Sequence, residues 1–317
     1  MRKIYPVIFG IVLFAFGCQK DPYPYITKQD VQKIDSVVHP AIKNVAFIWQ
    51  GNIYYVTDFT KPVVQITNDG GAVKFVRMSH DHSKFAYLNA LKEIVVVDKA
   101  GKVITTLSQY TQVKCFDWSP DDQTLYILNG NAMAYYGPAM NLPAFSIPSG
   151  SDQSVMWTSV SMQGDFAYIA HWFDFFNGDQ YELVVQPHGN GQQFVYTNPD
   201  QYGYAMDYVN FSANKQDMVL GYKDPNAYGT DVQESTDVFT DLKKYPDFSY
   251  GGVCTPAYNS TINYIVAGRH TDDNSTNVPA ALFMGSNDTE FAKANVAQSI
   301  FLTNYGSSSG NVYTDWK

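Results

Sequence analysis

Three side chains that can carry positive charge occur at one position of an internal repeat, the end of its second strand. The residues at that position are Gln50, Ala90, Gly130, His171, Lys223 and Arg269, and His270 follows the last of them. Neighbouring cations bind carboxylate or sulfate groups through charge-assisted hydrogen bonds. The sequence therefore predicts a site for an anionic group. Surface ion pairs are the alternative, because acidic residues lie close by in the chain, at Asp174, Asp224, Asp272 and Asp273.

Aromatic residues are concentrated in the same segments. They are Trp172, Phe173, Phe175, Phe176, Tyr202, Tyr228, Tyr245, Phe248, Tyr250 and Tyr305. Aromatic rings stack on sugars and pack against peptides, and an exposed cluster marks a binding surface. The predicted binding residues are His171, Trp172, Phe173, Phe175, Lys223, Tyr228, Tyr245, Tyr250, Arg269, His270 and Tyr305. The alternative is that these rings form a small satellite core beneath long loops.

Catalysis is the less favoured interpretation of the same residues. His171 and His270, with Asp272, are types that serve in acid–base or metal chemistry, but they show no tight ligand spacing. Beyond residue 17 the only arginines are Arg77 and Arg269, too few for the arginine triad of a sialidase. We expect a non-catalytic protein without a metal or cofactor. The alternative is a glycan-active hydrolase or lyase that uses His171, His270 and nearby carboxylates.

The elements that must position these residues are short β-strands in a repeat of about 40 to 50 residues, the period of a β-propeller. The first strand of each repeat ends in a large apolar residue, usually followed by Ser and a turn. These first strands lie at Val73–Ser79, Val113–Ser119, Val155–Ser161, Met206–Ser212, Val253–Tyr258 and Asn311–Lys317. Predicted fourth strands lie at Val103–Leu107, Ala144–Ile147, Phe194–Thr197, near Phe248, and at Ser299–Thr303.

The two ends of the chain complement each other. The N-terminal repeat has its second strand at Asn44–Trp49 but no first strand, and the chain ends in a first strand with nothing after it. Pairing the two would cover an inner edge that otherwise exposes unpaired backbone groups. We therefore predict an all-β fold, a six-bladed β-propeller of residues 43–317, closed by Val312–Trp316 lying hydrogen-bonded beside Val45–Ile48. A seven-bladed ring or a β-sandwich is the alternative.

The turn Ser119-Pro-Asp-Asp122 resembles that of the TolB-like or WD40-like β-propeller repeat. Completion of the N-terminal blade by the C-terminal strand is similar to the closure seen in propeller families. Because the motif is a structural turn, the resemblance implies the fold and says little of function.

Loop lengths divide the predicted ring into two halves. The connections from second to third strand are short in the first three repeats, at Gln50-Gly51, Ala90-Leu91 and Gly130-Asn131. In the last three they are long, at His171–Gln180, Lys223–Ser235 and Arg269–Pro279. Long loops on a rigid scaffold are where function concentrates. We therefore place the binding surface on blades four to six.

The N-terminus predicts export and a lipid anchor. Arg2 and Lys3 precede an apolar run of about 13 residues, too short to span a bilayer and typical of a signal peptide. Ala15-Phe-Gly-Cys18 resembles a bacterial lipobox, which implies lipidation of Cys18. We predict a signal peptide at 1–17, a lipid-anchored tether at 18–42 and the propeller at 43–317. An ordinary secretory signal is the alternative.

The predicted location is the outer membrane, on its periplasmic or surface-exposed side. Gln19 follows the lipobox cysteine, and Gln19-Lys-Asp21 resembles the surface-export signals of Bacteroidetes lipoproteins. The formal net charge is −9 with no basic cluster, which argues against nucleic acid and against adhesion to anionic lipid. Membrane contact should come only from the lipid. The predicted partner is a glycan or an envelope protein.

Two further predictions concern the first strands. Cys115 and Cys254 fall in repeats three apart, on opposite sides of a six-bladed ring, too far apart for a disulfide; we expect two free, buried thiols. Asp117 and Asp315 occupy equivalent positions before Trp118 and Trp316. We expect both carboxylates to hydrogen-bond to a neighbouring strand.

Overall fold

The computed structural model shows an all-β chain. It describes residues 42–49, 51–58, 61, 63–69, 73, 75–138, 144–189, 192–197, 205–212, 217–223, 233–244, 246, 248–259, 264–269, 281–286, 299–301 and 313–316. The strands in this part of the chain are β1 Lys43–Trp49, β2 Asn52–Asp58, β3 Val64–Gln65, β4 Phe75–Met78, β5 Lys84–Leu88, β6 Ile94–Asp98, β7 Val103–Leu107, β8 Val113–Trp118, β9 Leu125–Asn129, β10 Ala132–Tyr136, β11 Ser151–Val160, β12 Phe166–Asp174, β13 Gly178–Gln186, β14 Phe194–Tyr196, β15 Ala205–Phe211, β16 Met218–Lys223, β17 Gln233–Phe239, β18 Phe248–Asn259, β19 Tyr264–Arg269, β20 Ala281–Ser286, β21 Ser299–Phe301 and β22 Tyr313–Trp316.

The strands form five antiparallel sheets, the blades of a β-propeller, instead of the predicted six. In blade order they are β22-β1-β2-β3, β4-β5-β6-β7, β8-β9-β10, β11-β12-β13-β14 and the seven-stranded β15 to β21. Around the centre, the first strands β22, β4, β8, β11, β15 and β18 contact one another in turn, and β18 contacts β22.

The predicted fifth and sixth repeats merge because β18 is one continuous strand of 12 residues. Its N-terminal half, Phe248–Val253, pairs with β17, and its C-terminal half, Cys254–Asn259, pairs with β19. The sequence between the predicted fifth and sixth repeats, Lys243–Gly252, reads as a long inter-blade loop, but its part from Phe248 onward is strand. Gly251 lies within the ladder, opposite Ser235, so the glycine pair does not break the strand.

The C-terminal strand lies beside the N-terminal one. β22 pairs antiparallel with β1, with Trp316 opposite Val45 and Tyr313 opposite Ile48. The strand thus lies beside Val45–Ile48, as the repeat predicts, although Val312 is outside the described residues. Thr314, Asp315 and Trp316 are buried at this junction.

Apolar side chains fill the spaces between neighbouring blades, which is how sheets in a propeller bury their faces. Tyr55 meets Phe85 with ring centroids 5.4 Å apart, between blades one and two. Phe75 meets Phe116 at 4.8 Å between blades two and three. Tyr196 meets Phe239 at 5.1 Å between blades four and five.

Polar side chains on the first strands link neighbouring blades near the centre. Asp315 Oδ1 accepts from Arg77 Nη1 at 3.1 Å, and its Oδ2 accepts from Met78 N at 2.6 Å. Asp117 Oδ2 accepts from Ser159 Oγ and from Val160 N, each at 3.0 Å. The prediction that Asp117 and Asp315 bond to neighbouring strands is confirmed.

Arg77 is fully buried at this centre, and aromatic rings surround its guanidinium. Its Cζ lies 5.1 Å from the Phe75 ring centroid and 5.7 Å from that of Tyr208. Burial raises the pKa of Tyr208 to about 12. The ion pair with Asp315 and the faces of two rings together hold a charge that would be costly to bury alone.

The turns between first and second strands lie on the face opposite the second-to-third-strand turns. There they link blade two to blade three. Asp122 Oδ1 accepts from His80 N at 2.7 Å, and its Oδ2 accepts from Asp81 N at 2.8 Å. Asp122 and His82 have φ values of 55° and 59°, so both turns use a left-handed residue. The Ser-Pro-Asp-Asp turn therefore has a structural task, as its resemblance implied.

Blade three lacks the predicted fourth strand at Ala144–Ile147. In the structure that segment is not a strand, because its backbone is hydrogen-bonded to side chains of blade four. Ser146 N donates to Tyr168 Oη at 2.9 Å, and Tyr168 Oη donates to Ser146 O at 3.2 Å. Gln186 Nε2 donates to Ala144 O at 3.3 Å. The Phe145 ring lies 5.1 Å from that of Tyr168.

Cys115 is a free, buried thiol, as predicted. Its Sγ lies 3.3 Å from Thr158 Oγ1, and burial raises the pKa of the thiol to about 11. Cys254 lies in β18, and its side chain is outside the described part of the structure.

Candidate binding surface

Blade four extends further than blades one to three at the end that carries the second-to-third-strand connection. β11 has 10 residues, and β12 and β13 have nine each. We call the projecting part the blade-four extension; it consists of 151–154, 171–174, the turn 175–177 and 178–181. The prediction of a loop at 171–180 is wrong: β12 and β13 stay paired up to the turn, where the last residue of β12, Asp174, lies opposite the first residue of β13, Gly178.

Local sequence explains why a hairpin forms there. Phe166–Phe173 is rich in aromatic residues, which favour strands. Gly178 has a φ of 76°, a left-handed conformation that glycine adopts without strain. Asp174 Oδ1 accepts from Phe176 N at 2.9 Å and from Asn177 N at 2.8 Å, which fixes the turn.

Two phenylalanines form the tip of the extension. Phe175 is 84% exposed and Phe176 is 89% exposed, the highest values among the large hydrophobic side chains that the structure describes. Their rings meet edge to face, with centroids 5.4 Å apart. Phe173, 37% exposed, precedes them in the chain and is separated from Phe175 by Asp174. At this tip the aromatic side chains therefore form an exposed patch and are not packed into a small core beneath a loop.

His171 ties the three strands of the extension together. Its Nδ1 lies 3.2 Å from Ser154 Oγ on β11, and its Nε2 lies 2.9 Å from Asp179 Oδ1 on β13. Its ring packs 4.7 Å from that of Tyr181. This histidine is therefore hydrogen-bonded to an aspartate, although not to one of the acids considered from the sequence.

Ser154, His171 and Asp179 have the composition of a nucleophilic relay, and Ser154 and Asp179 were missed from the sequence. In serine hydrolases the serine faces Nε2 and the carboxylate faces Nδ1. Here both contacts are reversed. These three residues can be grouped only when the strand pairing is known. In that pairing Ser154 lies opposite His171, and His171 lies opposite Tyr181.

Trp172 is half-buried because the preceding chain lies on it. A Cβ added at Gly150 would stand 2.6 Å from Trp172 Cδ1 and 2.7 Å from Phe173 O, so only glycine fits there. Gln153 Nε2 donates to Pro148 O at 3.0 Å and to Gly150 O at 3.2 Å. The base of the extension is thus held firmly.

The surroundings of the tip are acidic. Asp152 and Asp179 are exposed and Asp174 is half-buried. Burial, followed by the charges of Asp179 and Asp207, raises the pKa of Tyr181 to about 12. The tip of the extension is therefore apolar, and the acidic rim around it consists of Asp152, Asp174 and Asp179.

The structure brings together four of the predicted binding residues, His171, Trp172, Phe173 and Phe175. For three others it gives only the backbone: Lys223 ends β16, Arg269 ends β19, and Tyr250 lies in β18. The rest, Tyr228, Tyr245, His270 and Tyr305, lie outside the described residues, as does the predicted lipidation residue Cys18.

A cavity of about 360 Å³ opens between blades one and two, away from the predicted surface. It is lined by Gln65, Ile66, Thr67, Asn68, Asp69, Tyr87, Gly101 and Val103. Burial and the neighbouring Asp69 raise the pKa of Tyr87.

No group of three or more His, Cys, Asp or Glu side chains is arranged to hold a metal ion within the described ranges. Over the same ranges, no helix has the length and apolar character needed to cross a bilayer.

Comparison with known proteins supports the fold. The solved structure of TolB from Acinetobacter baumannii superposes with a TM-score of 0.53 at 13% sequence identity, covering 88% of this chain and 67% of the TolB chain. No family model and no curated protein matches the sequence. At this identity the likeness shows the fold alone, a TolB-like β-propeller.

Proposed function

We propose that this chain is a non-catalytic binding propeller whose blade-four extension docks a protein partner. The observation that carries the proposal is the exposed pair Phe175 and Phe176 at the tip of a paired, hydrogen-bonded hairpin. Burying two such rings in a partner would contribute several kcal/mol, because a fully buried Phe is worth about 1.5 to 3 kcal/mol. Rigid presentation keeps the entropic cost of binding low.

The chemistry of the tip favours a protein over a glycan. Phenylalanine has no polar edge, whereas sugar recognition combines ring stacking with hydrogen bonds to hydroxyl groups. The acidic rim of Asp152, Asp174 and Asp179 is complementary to lysine and arginine side chains. The partner we propose has an apolar pocket with a basic margin.

We further propose that the chain reaches this partner as an outer-membrane lipoprotein anchored through Cys18. The support is the sequence 1–19: a short apolar run, the lipobox-like Ala15-Phe-Gly-Cys18, and Gln19 after it. Replacing Cys18 by Ser is expected to abolish labelling by radioactive palmitate and to release the protein from the membrane fraction. Retention and labelling of the Cys18→Ser variant would exclude the anchor.

We also propose that the pairing of β22 with β1 closes the ring. The support is the succession of first-strand contacts, in which β22 packs against both β4 and β18.

Photo-crosslinking tests the docking proposal. Benzoylphenylalanine placed at position 176 is expected to crosslink one envelope protein in cells, and placed at position 91 to crosslink none. Leu91 is a matched control, because it is also a large apolar residue in a second-to-third-strand turn and is 78% exposed. With the captured protein purified, Phe175→Ser plus Phe176→Ser should weaken binding by at least about tenfold, whereas Leu91→Ser should not.

Two outcomes would contradict the proposal. Equal affinity of the double serine variant and the wild type would remove the tip from the interface. Binding to acidic or neutral envelope glycans on an array, lost in the same variant, would replace the protein partner by a glycan.

The hydrolase alternative uses His171, His270 and nearby carboxylates, and His270 lies outside the described residues. At His171 the structure offers a different set, Ser154 and Asp179. The reversed contacts at the imidazole argue that this set is structural.

A further inference from the structure

Among the described residues, no strand pairs with the outer edge of blade three. Its sheet has three strands, β8-β9-β10, while blades one, two and four each have a fourth strand beyond their third. The segment that should supply the fourth strand is bonded to Tyr168 and Gln186 of blade four instead. Within the described part of the chain, β10 is therefore the last strand of this sheet.

Hairpin geometry shows which peptide groups of β10 face outward. The turn Gly130-Asn131 joins Asn129 to Ala132, and Gly130 has a φ of 64° at its first position. In such a two-residue hairpin the flanking pair is hydrogen-bonded, so every second residue of β10 faces β9. Ala132, Ala134 and Tyr136 then bond to β9, and the peptide groups of Met133 and Tyr135 face away.

One contact supports this assignment independently. Tyr110 Oη donates to Tyr135 O at 2.8 Å, as expected for a carbonyl that points away from β9. The other outward groups are the N–H and C=O of Met133 and the N–H of Tyr135. None of these three has a hydrogen bond to another described residue.

The edge also lacks the usual protection. Natural edge strands carry charges, proline or bulges that discourage added strands. β10 reads Ala132-Met-Ala-Tyr-Tyr136, without a charged residue or a proline, and pairs with β9 without a bulge. Met133, Ala134 and Tyr135 are half-buried, and Tyr136 is 39% exposed.

We propose that the edge of β10 binds an extended segment of a partner protein, which adds as the fourth strand of blade three. The open peptide groups are two residues apart, a spacing of about 6.8 Å that another β-strand matches. Main-chain hydrogen bonds give the affinity, and alternate side chains give the selectivity. With no charge on β10, an uncharged segment of alternating apolar residues fits best.

Continuity with the blade-four extension favours a protein over a free peptide. Asn131, at the turn of the β9–β10 hairpin, donates through Nδ2 to Gln153 O at 2.9 Å. Gln153 belongs to the extension, so the two surfaces adjoin. The inference rests on different residues from the proposed docking at Phe175 and Phe176, and it stands or falls separately.

A phage-displayed library of linear seven-residue peptides tests the proposal. It is selected on the purified full-length chain, with counter-selection on Met133→Pro. Proline at this position removes an outward N–H and leaves the β9 ladder intact, as proline does on edge strands. The matched control, Met133→Ala, removes the side chain and keeps the N–H. Circular dichroism and thermal unfolding confirm that both variants are folded.

Selected peptides are expected to bind Met133→Pro at least about tenfold more weakly than wild type, a loss of about 1.4 kcal/mol, and to bind Met133→Ala normally. Bound peptide should protect the Met133 and Tyr135 amides from hydrogen exchange. Binding should persist in the Phe175→Ser plus Phe176→Ser variant, which separates this site from the tip.

Three results would overturn the proposal. The first is a selection that yields no peptide sensitive to Met133→Pro. The second is protection confined to strands other than β10. The third is a dimer of the full chain in sedimentation that Met133→Pro abolishes, because a second copy would then be the occupant of the edge.

Discussion

His171 shows how a residue with catalytic potential can be used to hold a surface in shape. It sits between Ser154 on one strand and Asp179 on another, and its ring packs on Tyr181. These contacts fix the three strands of the extension below the Phe175–Phe176 tip. The imidazole predicted to attract an anion instead hydrogen-bonds to Asp179 within the protein.

A fluorophosphonate probe distinguishes this structural role from a catalytic one. Because the imidazole contacts are reversed from those of a serine hydrolase, we expect no labelling of Ser154 in the folded chain. We also expect His171→Ala to lower the free energy of unfolding by about 1 to 2 kcal/mol, through loss of two hydrogen bonds and a ring contact. Labelling that disappears in Ser154→Ala would instead show that Ser154 is a nucleophile.

Cys115 gives a second prediction at the residue scale. Burial raises the pKa of its thiol to about 11, and the thiolate is the reactive form. Replacing both Cys18 and Cys254 by Ser leaves Cys115 as the one cysteine of the chain. In this variant, Ellman's reagent at about pH 8 should not react with the native chain. Full reaction should follow unfolding in about 6 M guanidinium chloride. Rapid reaction of the native chain would show that the centre of the propeller is open to solvent.

At the scale of elements, side chains of one blade decide whether a strand forms in the next. Ala144–Ile147 has the alternating apolar pattern of a strand, yet Tyr168 captures both the N–H and the C=O of Ser146. The segment packs between blades three and four, and β10 is left as an edge. The opposite happens in β18, where a segment with two glycines and a proline becomes one long strand.

Tyr168→Phe tests this capture. The phenol is the partner of both backbone groups of Ser146, so its loss should destabilise the fold by about 1 to 2 kcal/mol in urea unfolding. It should also speed hydrogen exchange at the Ser146 amide. Ser146→Ala is the matched control, since it keeps the backbone contacts and removes an exposed hydroxyl; its effect should stay within about 0.5 kcal/mol. Unchanged exchange in Tyr168→Phe would contradict the assignment.

At the scale of the whole molecule, the centre of the propeller joins the two ends of the chain. Asp315, on the last strand, pairs with Arg77 on the first strand of blade two, and both side chains are buried. The backbone pairing of β22 with β1 and this ion pair hold the same strand from two sides. Residues 238 positions apart in sequence are thereby in direct contact.

Replacing Asp315 by Ala should therefore cost about 3 to 5 kcal/mol of unfolding free energy, because it leaves the Arg77 charge buried without its partner. Arg77→Met plus Asp315→Leu should be less destabilised than Asp315→Ala, since no unpaired charge remains. Lys61→Ala is the control: it breaks the exposed pair of Lys61 with Asp58 and should change stability by less than about 1 kcal/mol. A small effect of Asp315→Ala would argue against closure through β22.

The sequence alone determined what depends on local chemistry and on the repeat. Alternating β-branched and aromatic runs identified strands, the phase of the repeat placed Asp117 and Asp315 at equivalent positions, and the same phase set the register of β22 beside β1. Tertiary structure decided what depends on competition between blades: the continuity of β18, the capture of Ser146 by Tyr168, and the hairpin that exposes Phe175 and Phe176. A strand's pattern shows that it can pair, but which neighbour takes its peptide groups depends on distances that exist only in the folded chain.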